Sequence, residues 1–598
     1  MLEVQSHRTV NGQLGIFIMV VQQAIKSISP ASPRDRVQVI FNGNGAKVIY
    51  EGPLGTPLTD FFATWEDELN LPTEDRAIAA IVENRLRELT VPVTRDVSVQ
   101  PITLRHSDGS RIYRRTLSFL LVVAIAECFP GAQVAIDHSL PSGAYFCHMV
   151  NRQQLSAAEL AMVKAKMHEI AQADDPITRQ NMALDQAKAI FESRNDADKL
   201  RLLTIREEDY LSVYELRGYV DYFFGYMAPS TGCIKWFDLM PYGDGFALMY
   251  PVREKLGEMP SYVDSPKMAE VFHQTGEWLE LMGVEDVGQL NEALQKGRAR
   301  ELVLVNEALH ERHIASIAAT IAERHHQGVR VVLIAGPSSS GKTTFSKRLA
   351  IQLMTHGLKP FTLEMDNYFV DRDLTPVDDT GEFDFESIKA LNVERLNRDL
   401  LNLIAGRPTL LPVFSFHTGT GQDGPTVQLS QDHIIILEGI HGMNPDLTPE
   451  VPSENTYRIY VSALTQLNID RHNRVPTTDI RLLRRIVRDA ATRNYTAEDT
   501  LGRWQSVRRG EKRNIFPYQE NADVMFNSAL IYELSVIRRL AEPLLLRVNP
   551  DSILRVEAHR LLSFLRWVRE MDAEFVPDNS LMREFIGGSI LKDYHPGS

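Results

Sequence analysis

The sequence is poor in cysteine and has no long hydrophobic run. Cys128, Cys147 and Cys233 are its only cysteines in 598 residues, and no two of them form a C-x-x-C pair. This usage argues against a disulfide scaffold and favours a reducing compartment, so we expect a cytoplasmic protein. No apolar run approaches the ~18 residues of a membrane span. The apolar segment Leu14–Val21 is short and almost without preceding basic charge, so a signal peptide is not expected either.

A positive net charge is also absent. The formal net charge is -14 at pH 7, which argues against broad nucleic-acid binding through phosphate neutralisation, although a local basic patch is compatible with it. With 44% hydrophobic and 24% charged residues, the composition is that of an ordinary globular protein. A chain of 598 residues is too long for one hydrophobic core, so roughly three or four domains are expected.

The N-terminal part begins with residues 1–35, which show no sustained hydrophobic period and are predicted to be an arm. The β-prone runs Val37–Phe41 and Ala46–Tyr50 flank the letters NGNG, a composition typical of a tight hairpin. Residues 36–104 resemble the TGS domain at the front of threonyl-tRNA synthetases. The resemblance implies a small β-grasp-like, ubiquitin-like domain that serves as a binding or spacing unit.

Residues 105–250 carry the stretches DGSRIYRRTLSFLLVVAIAECFPG and VDYFFGYMAPSTGCIKWFDL. They resemble the second additional domain of threonyl- and alanyl-tRNA synthetases, an α+β domain that hydrolyses mischarged tRNA. That family builds a metal site from an H-x-x-x-H and a later C-x-x-x-H. The matching residues here are Arg115, Phe119, Phe223 and Met227, and none of them is a ligand that a metal cation prefers. We therefore expect the fold without zinc and without deacylation, while some RNA binding stays open.

Residues 251–327 are predicted to be a connector that ends in a long helix. Its first part is punctuated by proline and glycine, and Asn306–Gln327 places apolar residues on one stripe before Gly328 ends the helix. Four histidines of this helix are candidate metal ligands: His310, His313, His325 and His326. Because no carboxylate or cysteine stands at ligand spacing, a solvated helix face is the favoured interpretation.

The most specific motif is GPSSSGKTT at residues 336–344. It fits G-x-x-x-x-G-K-[ST] and lies between a β-branched run, Val329–Ala335, and a helix-like segment, Phe345–Met354, which is the context of a phosphate-binding loop. Lys342 should reach the β- and γ-phosphates of ATP, and the Thr343 hydroxyl should ligate Mg²⁺. The predicted nucleotide-binding residues are Gly336, Pro337, Ser338, Ser339, Ser340, Gly341, Lys342, Thr343 and Thr344.

Residues 328–530 alternate short apolar runs with helical patterns, which predicts an α/β domain around a parallel sheet. The strand candidates are Val329–Ala335, Phe361–Met365, Ile434–Leu437, Tyr457–Ser462 and Asp523–Phe526. Functional groups should lie at the carboxyl ends of such strands. Asp366 follows the second candidate and Glu438 the third. One acidic residue there is often a helix cap, but two beside a phosphate loop favour catalysis and metal binding.

Five stretches, GPSSSGKTT, MDNYF, GEFDFESI, ILEGIHG and RLLRRIVRD, together resemble the uridine kinase and phosphoribulokinase family. The resemblance implies that Asp366 is the general base for the substrate hydroxyl and that Glu438 holds the Mg²⁺ shell. Three arginines match the lid that stabilises the phosphates during transfer: Arg484, Arg485 and Arg488. The alternative for these arginines, together with Arg481, is a solvated face of one helix.

The acceptor is less sharply indicated. Asp384 matches a family residue that binds ribose hydroxyls, and PVFSFHTG, residues 412–419, matches the stretch that contacts the base. The family's tyrosine and histidine in that stretch fall on Phe414 and Gly419, although His417 could restore a base contact. The predicted substrate contacts are Asp384, Tyr368, Phe414, His417 and Arg493. A nucleoside such as uridine or cytidine is the leading acceptor.

Residues 531–598 carry apolar residues at spacings of three and four and should form helices that pack on the kinase sheet. The sequence thus predicts a multidomain α/β and α+β protein in which an ATP- and Mg²⁺-dependent small-molecule kinase follows a catalytically silent, synthetase-like front half. Two alternatives stay open. One is a kinase for another hydroxyl substrate, such as a sugar phosphate or a pantothenate-like acid, and the other is a non-enzymatic, nucleotide-switched RNA-binding protein.

Overall fold

The computed structural model describes residues 34–43, 46–141, 143–377, 381, 383–415 and 417–596, so the predicted arm lies almost entirely outside it. The strands are β1 Arg36–Gly43, β2 Ala46–Pro53, β3 Ala77–Val82, β4 Arg85–Arg87, β5 Val97–Thr103, β6 Val134–Leu140, β7 Ala144–Met149, β8 Thr178–Ala183, β9 Tyr210–Leu216, β10 Tyr219–Asp221, β11 Asp238–Tyr242, β12 Gly245–Met249, β13 Val331–Ala335, β14 Lys359–Glu364, β15 Thr409–Ser415, β16 Thr420–Val427, β17 His433–Glu438, β18 Thr456–Ser462 and β19 Val524–Asn527. The helices are α1 Leu58–Glu68, α2 Ser107–Cys128, α3 Ala157–Ala173, α4 Leu184–Ser193, α5 Ala197–Leu202, α6 Pro266–Met282, α7 Val287–Gln295, α8 Ala299–His326, α9 Lys342–Thr355, α10 Val393–Ile404, α11 Thr477–Thr492, α12 Ala497–Asn514, α13 Glu533–Leu546, α14 Arg555–Leu565 and α15 Arg583–Ile586. None of the described helices is long and apolar enough to cross a membrane.

The first sheet has the strand order β2-β1-β5-β3-β4, with α1 packed against it. Strands β1 and β2 pair antiparallel from Arg36 opposite Pro53 to Gly43 opposite Ala46, which is the predicted hairpin. Strand β5 joins β1 in parallel. This mixed sheet with one helix across it is the β-grasp-like arrangement that the sequence predicts.

The next part of the front half is α+β, as predicted. Strands β11-β12-β7-β6 form an antiparallel sheet, and β10-β9-β8 form a smaller one. Helix α2 is buried continuously from Thr116 to Ile125, because the first sheet, α3 and the antiparallel sheet pack around it. A helix that is buried on all sides has apolar residues all around it, as this segment of the sequence does.

The positions that match the metal ligands of the synthetase domain lie together but hold no ligand set. The rings of Phe119 and Phe223 are 5.1 Å apart and both are buried, as is Met227. The guanidinium of Arg115 donates a hydrogen bond to the carbonyl oxygen of Tyr226 at 2.5 Å. Apolar packing thus occupies the quartet, which gives the physical basis for the prediction that zinc is absent.

Helix α8 begins at Ala299 rather than at Asn306, because Leu302 and Val303 extend its buried stripe toward the N-terminus. The interpretation of its histidines as a solvated face is wrong for two of them. His310 and His325 are buried. The ring of His310 packs edge-on against Phe526, and its Nε2 lies 3.2 Å from the carbonyl oxygen of Ala529.

The sheet of the kinase part is parallel, with the order β14-β17-β13-β18-β19, and its members are the five predicted strands. Strand β13 lies at the centre. One face packs against α8 and α9, and the other packs against α10 and part of α6. Because both faces are covered, the strands read as continuous apolar runs.

The C-terminal helices correct one expectation. Helices α13 and α14 pack mainly against α11 and the front half, in one continuous core that includes Phe191, Leu483, Leu534 and Leu561. From this end of the chain, Leu581 reaches the core under the kinase sheet. The helical tail therefore joins the front half to the kinase part more than it covers the sheet.

A buried ionic network also crosses between these parts. Lys199 lies 2.9 Å from Asp221 and 3.4 Å from Asp470, and His472 lies 2.7 Å from Asp221. Lys199, Asp221 and Asp470 are each at most 1% exposed. Burial alone would raise the pKa of Asp221, but Lys199 and His472 outweigh it and hold that pKa below its ordinary value. Asp221 therefore stays charged beside Lys199, and the network ties the loop after β18 to the front half.

Candidate active site

The phosphate loop connects the central strand β13 to α9 through a tight, left-handed turn. Ser339 has φ 58° and Gly341 has φ 86°. A Cβ atom at Gly336 would lie 1.9 Å from the carbonyl oxygen of Val461, so only glycine fits there. These constraints explain why the motif places glycine at both ends of the loop.

The N-terminus of α9 offers free donors. Phe345 donates the first intrahelical hydrogen bond, to Gly341 at 3.0 Å. In the described part of the chain, the N–H groups of Gly341, Lys342 and Thr343 donate to no protein acceptor. Unpaired N–H groups at a helix N-terminus form a binding site for anions.

An oxygen pair suited to a hard cation stands beside the loop. Strands β13 and β17 are neighbours, with Ile334 opposite Glu438, so Glu438 ends its strand next to Thr343. The Thr343 hydroxyl donates to the Glu438 carboxylate at 3.1 Å. Burial raises the pKa of Glu438 to about 6; Glu584 and Asp366 contribute, while Lys342 opposes them. The raised pKa shows that a positive charge near Glu438 would stabilise its ionised form. A carboxylate next to a hydroxyl suits Mg²⁺, which prefers oxygen ligands.

Asp366 lies at the end of β14, which pairs with β17 so that Glu364 is opposite Glu438. Its side chain is exposed to solvent. Desolvation by nearby protein atoms, with help from Glu364, raises the pKa of Asp366, and Lys342 opposes the rise. The structure therefore brings Lys342, Asp366 and Glu438 close enough to affect one another's ionisation.

Two arginines of α11 contact the loop directly. Arg485 donates to the Ser338 hydroxyl at 2.9 Å, and Arg481 donates to the Ser338 carbonyl oxygen at 2.9 Å. Arg488 is turned to its neighbour Asp489, with contacts of 3.0 and 2.8 Å. Arg485 is thus at the loop, and Arg488 stands one turn further along the same helix.

Arg484 is placed differently from the lid that the resemblance implies. Its guanidinium is fully buried, 2.6 Å from Glu533 and 2.8 Å from the carbonyl oxygen of Ser528. The Ser528 hydroxyl in turn donates to the carbonyl oxygen of Ser340 at 2.5 Å. Arg484 therefore supports the back of the loop. Since Arg481 is also 1% exposed, the alternative of a solvated arginine face is wrong.

Glu511 is a loop contact that the sequence does not reveal. Its carboxylate accepts from the Ser338 N–H at 3.1 Å and pairs with the buried guanidinium of Arg481. Arg508 lies 3.4 Å from the other carboxylate oxygen. In the sequence, Glu511 stands in the highly charged run RRGEKRN, which carries no signal beyond an exposed helix.

Glu584, from the C-terminal segment, is a second unforeseen contact. It accepts from the Thr344 N–H at 3.1 Å and from the Thr344 hydroxyl at 2.9 Å. Leu581 packs so close to Gly341 that a Cβ there would lie 2.9 Å from it. The C-terminal segment therefore covers the first turn of α9 and holds one of its anion-binding N–H groups.

The five residues predicted to contact the acceptor do not all lie at one site. Tyr368 is 1% exposed and its hydroxyl donates to Asp399 at 3.3 Å, which corrects the expectation that it contacts a substrate. Asp384 accepts from the Glu386 N–H at 3.2 Å. Phe414 is mostly buried. The two remaining candidates are exposed at other places, His417 in the turn after β15 and Arg493 at the end of α11.

Comparisons with known proteins match two parts of the chain to different families. Residues 331–534 match the sequence model of the Phosphoribulokinase / Uridine kinase family. Threonine–tRNA ligase of Symbiobacterium thermophilum is 30% identical over 165 residues, which are 27% of this chain and 25% of the ligase. The chain thus spans about a quarter of the length of the curated relatives it matches.

Two solved structures are similar to part of the chain. A putative fructose transport system kinase from a Silicibacter species is 19% identical, with 36% of this chain and 98% of that chain covered and a TM-score of 0.24. A possible uridine kinase from Bacillus stearothermophilus is 24% identical, with 33% and 89% covered and a TM-score of 0.20. Residues 331–534 therefore match the model of the Phosphoribulokinase / Uridine kinase family, and another part of the chain is similar to threonine–tRNA ligases.

Proposed function

We propose that residues 328–530 catalyse ATP- and Mg²⁺-dependent transfer of a phosphoryl group to a hydroxyl of a small molecule, most favourably a nucleoside such as uridine or cytidine. The observation that carries the proposal is the meeting of Thr343, Glu438 and Asp366 beside a helix N-terminus with unpaired N–H groups. Phosphoryl transfer needs these parts: an anion site, oxygen ligands for a cation, and a base. The family match supports the same reaction class.

In this proposal the loop and its cations bind the triphosphate. The Lys342 ammonium, which lies 3.2 Å from the carbonyl oxygen of Pro337, would exchange that contact for phosphate oxygens. Burial lowers the pKa of Lys342, and Glu438 and Glu584 oppose the change. An added phosphate would favour the charged form further. Arg485, already on the Ser338 hydroxyl, and Arg488 on the next turn would neutralise charge that develops on the γ-phosphoryl oxygens.

Thr343 and Glu438 would hold Mg²⁺ through their neighbouring oxygens. A Mg²⁺ ion held by these two residues would supply positive charge against the charge that develops on the phosphates during transfer. Glu438 must be ionised for this purpose. Its raised pKa, about 6, keeps it mostly ionised at neutral pH but not below pH 6.

Asp366 is assigned as the general base. It follows β14. Strand β17, which ends in Glu438, lies between β14 and β13, the strand that leads into the phosphate loop. Its raised pKa makes it a better proton acceptor than an ordinary aspartate, which suits removal of a proton from an alcohol. Its accessible carboxylate leaves room for an acceptor hydroxyl.

An aromatic group next to Asp384 supports a nucleoside as acceptor. The Phe369 ring lies 5.7 Å from the Phe414 ring and 6.2 Å from the Phe385 ring. Phe385 directly follows Asp384. Aromatic rings beside a carboxylate suit a base joined to a ribose diol, with the base against one ring and the hydroxyls on Asp384.

A screen of acceptors by ATP consumption tests the proposal. ADP release should depend on a nucleoside, with a 5′-monophosphate as product, and Asp384→Asn should raise the KM for the nucleoside more than the KM for ATP. If ADP were released only with sugar phosphates or pantothenate-like acids, the proposed phosphoryl transfer would stand and the nucleoside would be the wrong acceptor. ATP binding and RNA retention without any phosphorylated small product would contradict the enzyme assignment.

A further inference from the structure

A cavity of about 980 Å³ lies apart from the phosphate loop, between the front half and the kinase part. Its walls come from α2, the segment after β12, the loop before α11, helix α12 and helix α14. Nothing in the proposed phosphoryl transfer uses this space. Its size is that of a small-molecule binding pocket.

The cavity is unusually basic. Arg111 and Arg560 share the carboxylate of Glu557, at 2.8 and 2.7 Å, and Lys512 pairs with Glu254 at 2.7 Å. Other lining arginines are not neutralised in this way. Among the described residues, no carboxylate lies within 4.0 Å of the guanidinium groups of Arg114, Arg115, Arg253 and Arg474. We refer to the space that these four arginines and Arg508 line as the arginine cavity.

Neutral groups orient two of these arginines and place no carboxylate beside their guanidinium groups. Arg115 donates to the carbonyl oxygen of Tyr226 at 2.5 Å. Arg474 donates to the carbonyl oxygen of Asp137 at 2.5 Å and to the Ser139 hydroxyl at 2.9 Å. Guanidinium groups held in this way keep their remaining N–H donors for a ligand.

The arginines also repel one another. Burial lowers the pKa of Arg508 to about 10, and Arg253 is the charge that contributes most to the fall. Burial lowers the pKa of Arg115 to about 10 as well, with Arg560 and Arg111 adding to it. A multiply charged anion in the cavity would remove this repulsion.

We propose that the arginine cavity is a binding site for a small anion that carries two or more phosphate groups. A planar guanidinium group can donate two parallel hydrogen bonds to two oxygens of one phosphate. Several guanidinium groups without a carboxylate partner around one space therefore favour a ligand with more than one phosphate. The wall also contains Tyr145, Tyr250 and Trp504, whose rings could pack against an organic part of the ligand. The volume corresponds to a ligand of nucleotide size.

Arg508 of the cavity wall is linked to the phosphate loop through Glu511. Arg508 lies 3.4 Å from Glu511, and Glu511 accepts from the Ser338 N–H at 3.1 Å. The loop itself binds polyphosphates if the proposed kinase assignment is right. Binding at the two sites must therefore be separated by substitution.

Calorimetric titration of the full chain with inorganic tripolyphosphate tests the proposal, in a Lys342→Ala background that disables the loop. One tripolyphosphate should bind per chain. Adding Arg253→Gln should weaken that binding about tenfold or more, because a charge-assisted contact is lost. Among the described residues, Arg253 has no side-chain hydrogen bond or carboxylate partner to lose, so the fold should persist. Arg253→Lys should restore part of the affinity, and the exposed control Arg95→Gln should leave it unchanged.

Three results would overturn the proposal. The first is a Lys342→Ala protein that neither binds tripolyphosphate nor melts at a higher temperature in its presence. The second is an affinity that is unchanged when Arg253→Gln and Arg508→Gln are combined. The third is binding of tRNA without binding of tripolyphosphate, which would assign the basic wall to RNA. The first and third results do not depend on whether the kinase proposal is right.

Discussion

Glu584→Gln should make nucleotide binding tighter. In the present structure the Glu584 carboxylate accepts from the Thr344 N–H at 3.1 Å and from the Thr344 hydroxyl at 2.9 Å. A phosphate on the loop competes for the same donors and is repelled by the same negative charge. A hydrogen bond to a charged group contributes about 1.5–3 kcal/mol, and partial exposure of Glu584 places the net effect near the lower value. About 1.5 kcal/mol corresponds to roughly tenfold in affinity.

Isothermal titration of the full chain with MgATP measures this change. Glu574→Gln is the matched control, since Glu574 is exposed in the same C-terminal segment and its N–H bonds to Asp572 away from the loop. The control should bind MgATP as the natural sequence does. Equal or weaker affinity in Glu584→Gln would refute the reasoning, because it would mean that Glu584 does not compete with phosphate.

Four further outcomes are expected. Lys342→Ala should abolish ATP binding or turnover with the fold intact, and unchanged ATP affinity by calorimetry would contradict the assignment of the loop. Asp366→Asn should reduce turnover by roughly 10² to 10⁴ with ATP affinity little changed; near-normal steady-state rates would mean that Asp366 is a structural cap, which Asn also provides. Elemental analysis should find no stoichiometric zinc, and deacylation of mischarged tRNA should be absent, because Arg115, Phe119, Phe223 and Met227 occupy the quartet; one tightly bound zinc in the front half would show that this alignment is wrong. Finally, kcat/KM for MgATP should fall as the pH drops through about 6, because protonation of Glu438 removes a cation ligand, and a flat profile between pH 5 and 7 would count against that role.

The kinase sheet could be predicted because its physical cause is local in the sequence. Strands β13, β17 and β18 are largely buried, so each is a short, mostly apolar run, and the loop motif directly follows the first of them. The placement of Asp366 and Glu438 follows from the same rule, since adjacent parallel strands end at one edge. The β-turn letters NGNG likewise give the first hairpin.

Contacts between distant segments could not be predicted. Glu511 reaches Ser338 across 173 residues, and Glu584 reaches Thr344 across 240. Neither glutamate stands in a motif, and an acidic residue in a charged helix has the same pattern whether it faces solvent or a loop. Arg484 and His310 illustrate the same limit, because helical spacing places a side chain on a face but does not say what covers that face.

The buried ionic network between the two parts has a consequence for how this chain could change over generations. Asp470 and His472, in the C-terminal half, contact Lys199 and Asp221 of the front half. A substitution that removes one partner while the other stays buried typically costs about 3–5 kcal/mol, which is a large share of the stability of a protein. Selection for a stable C-terminal half would therefore also act on Lys199 and Asp221, whatever the front half itself does.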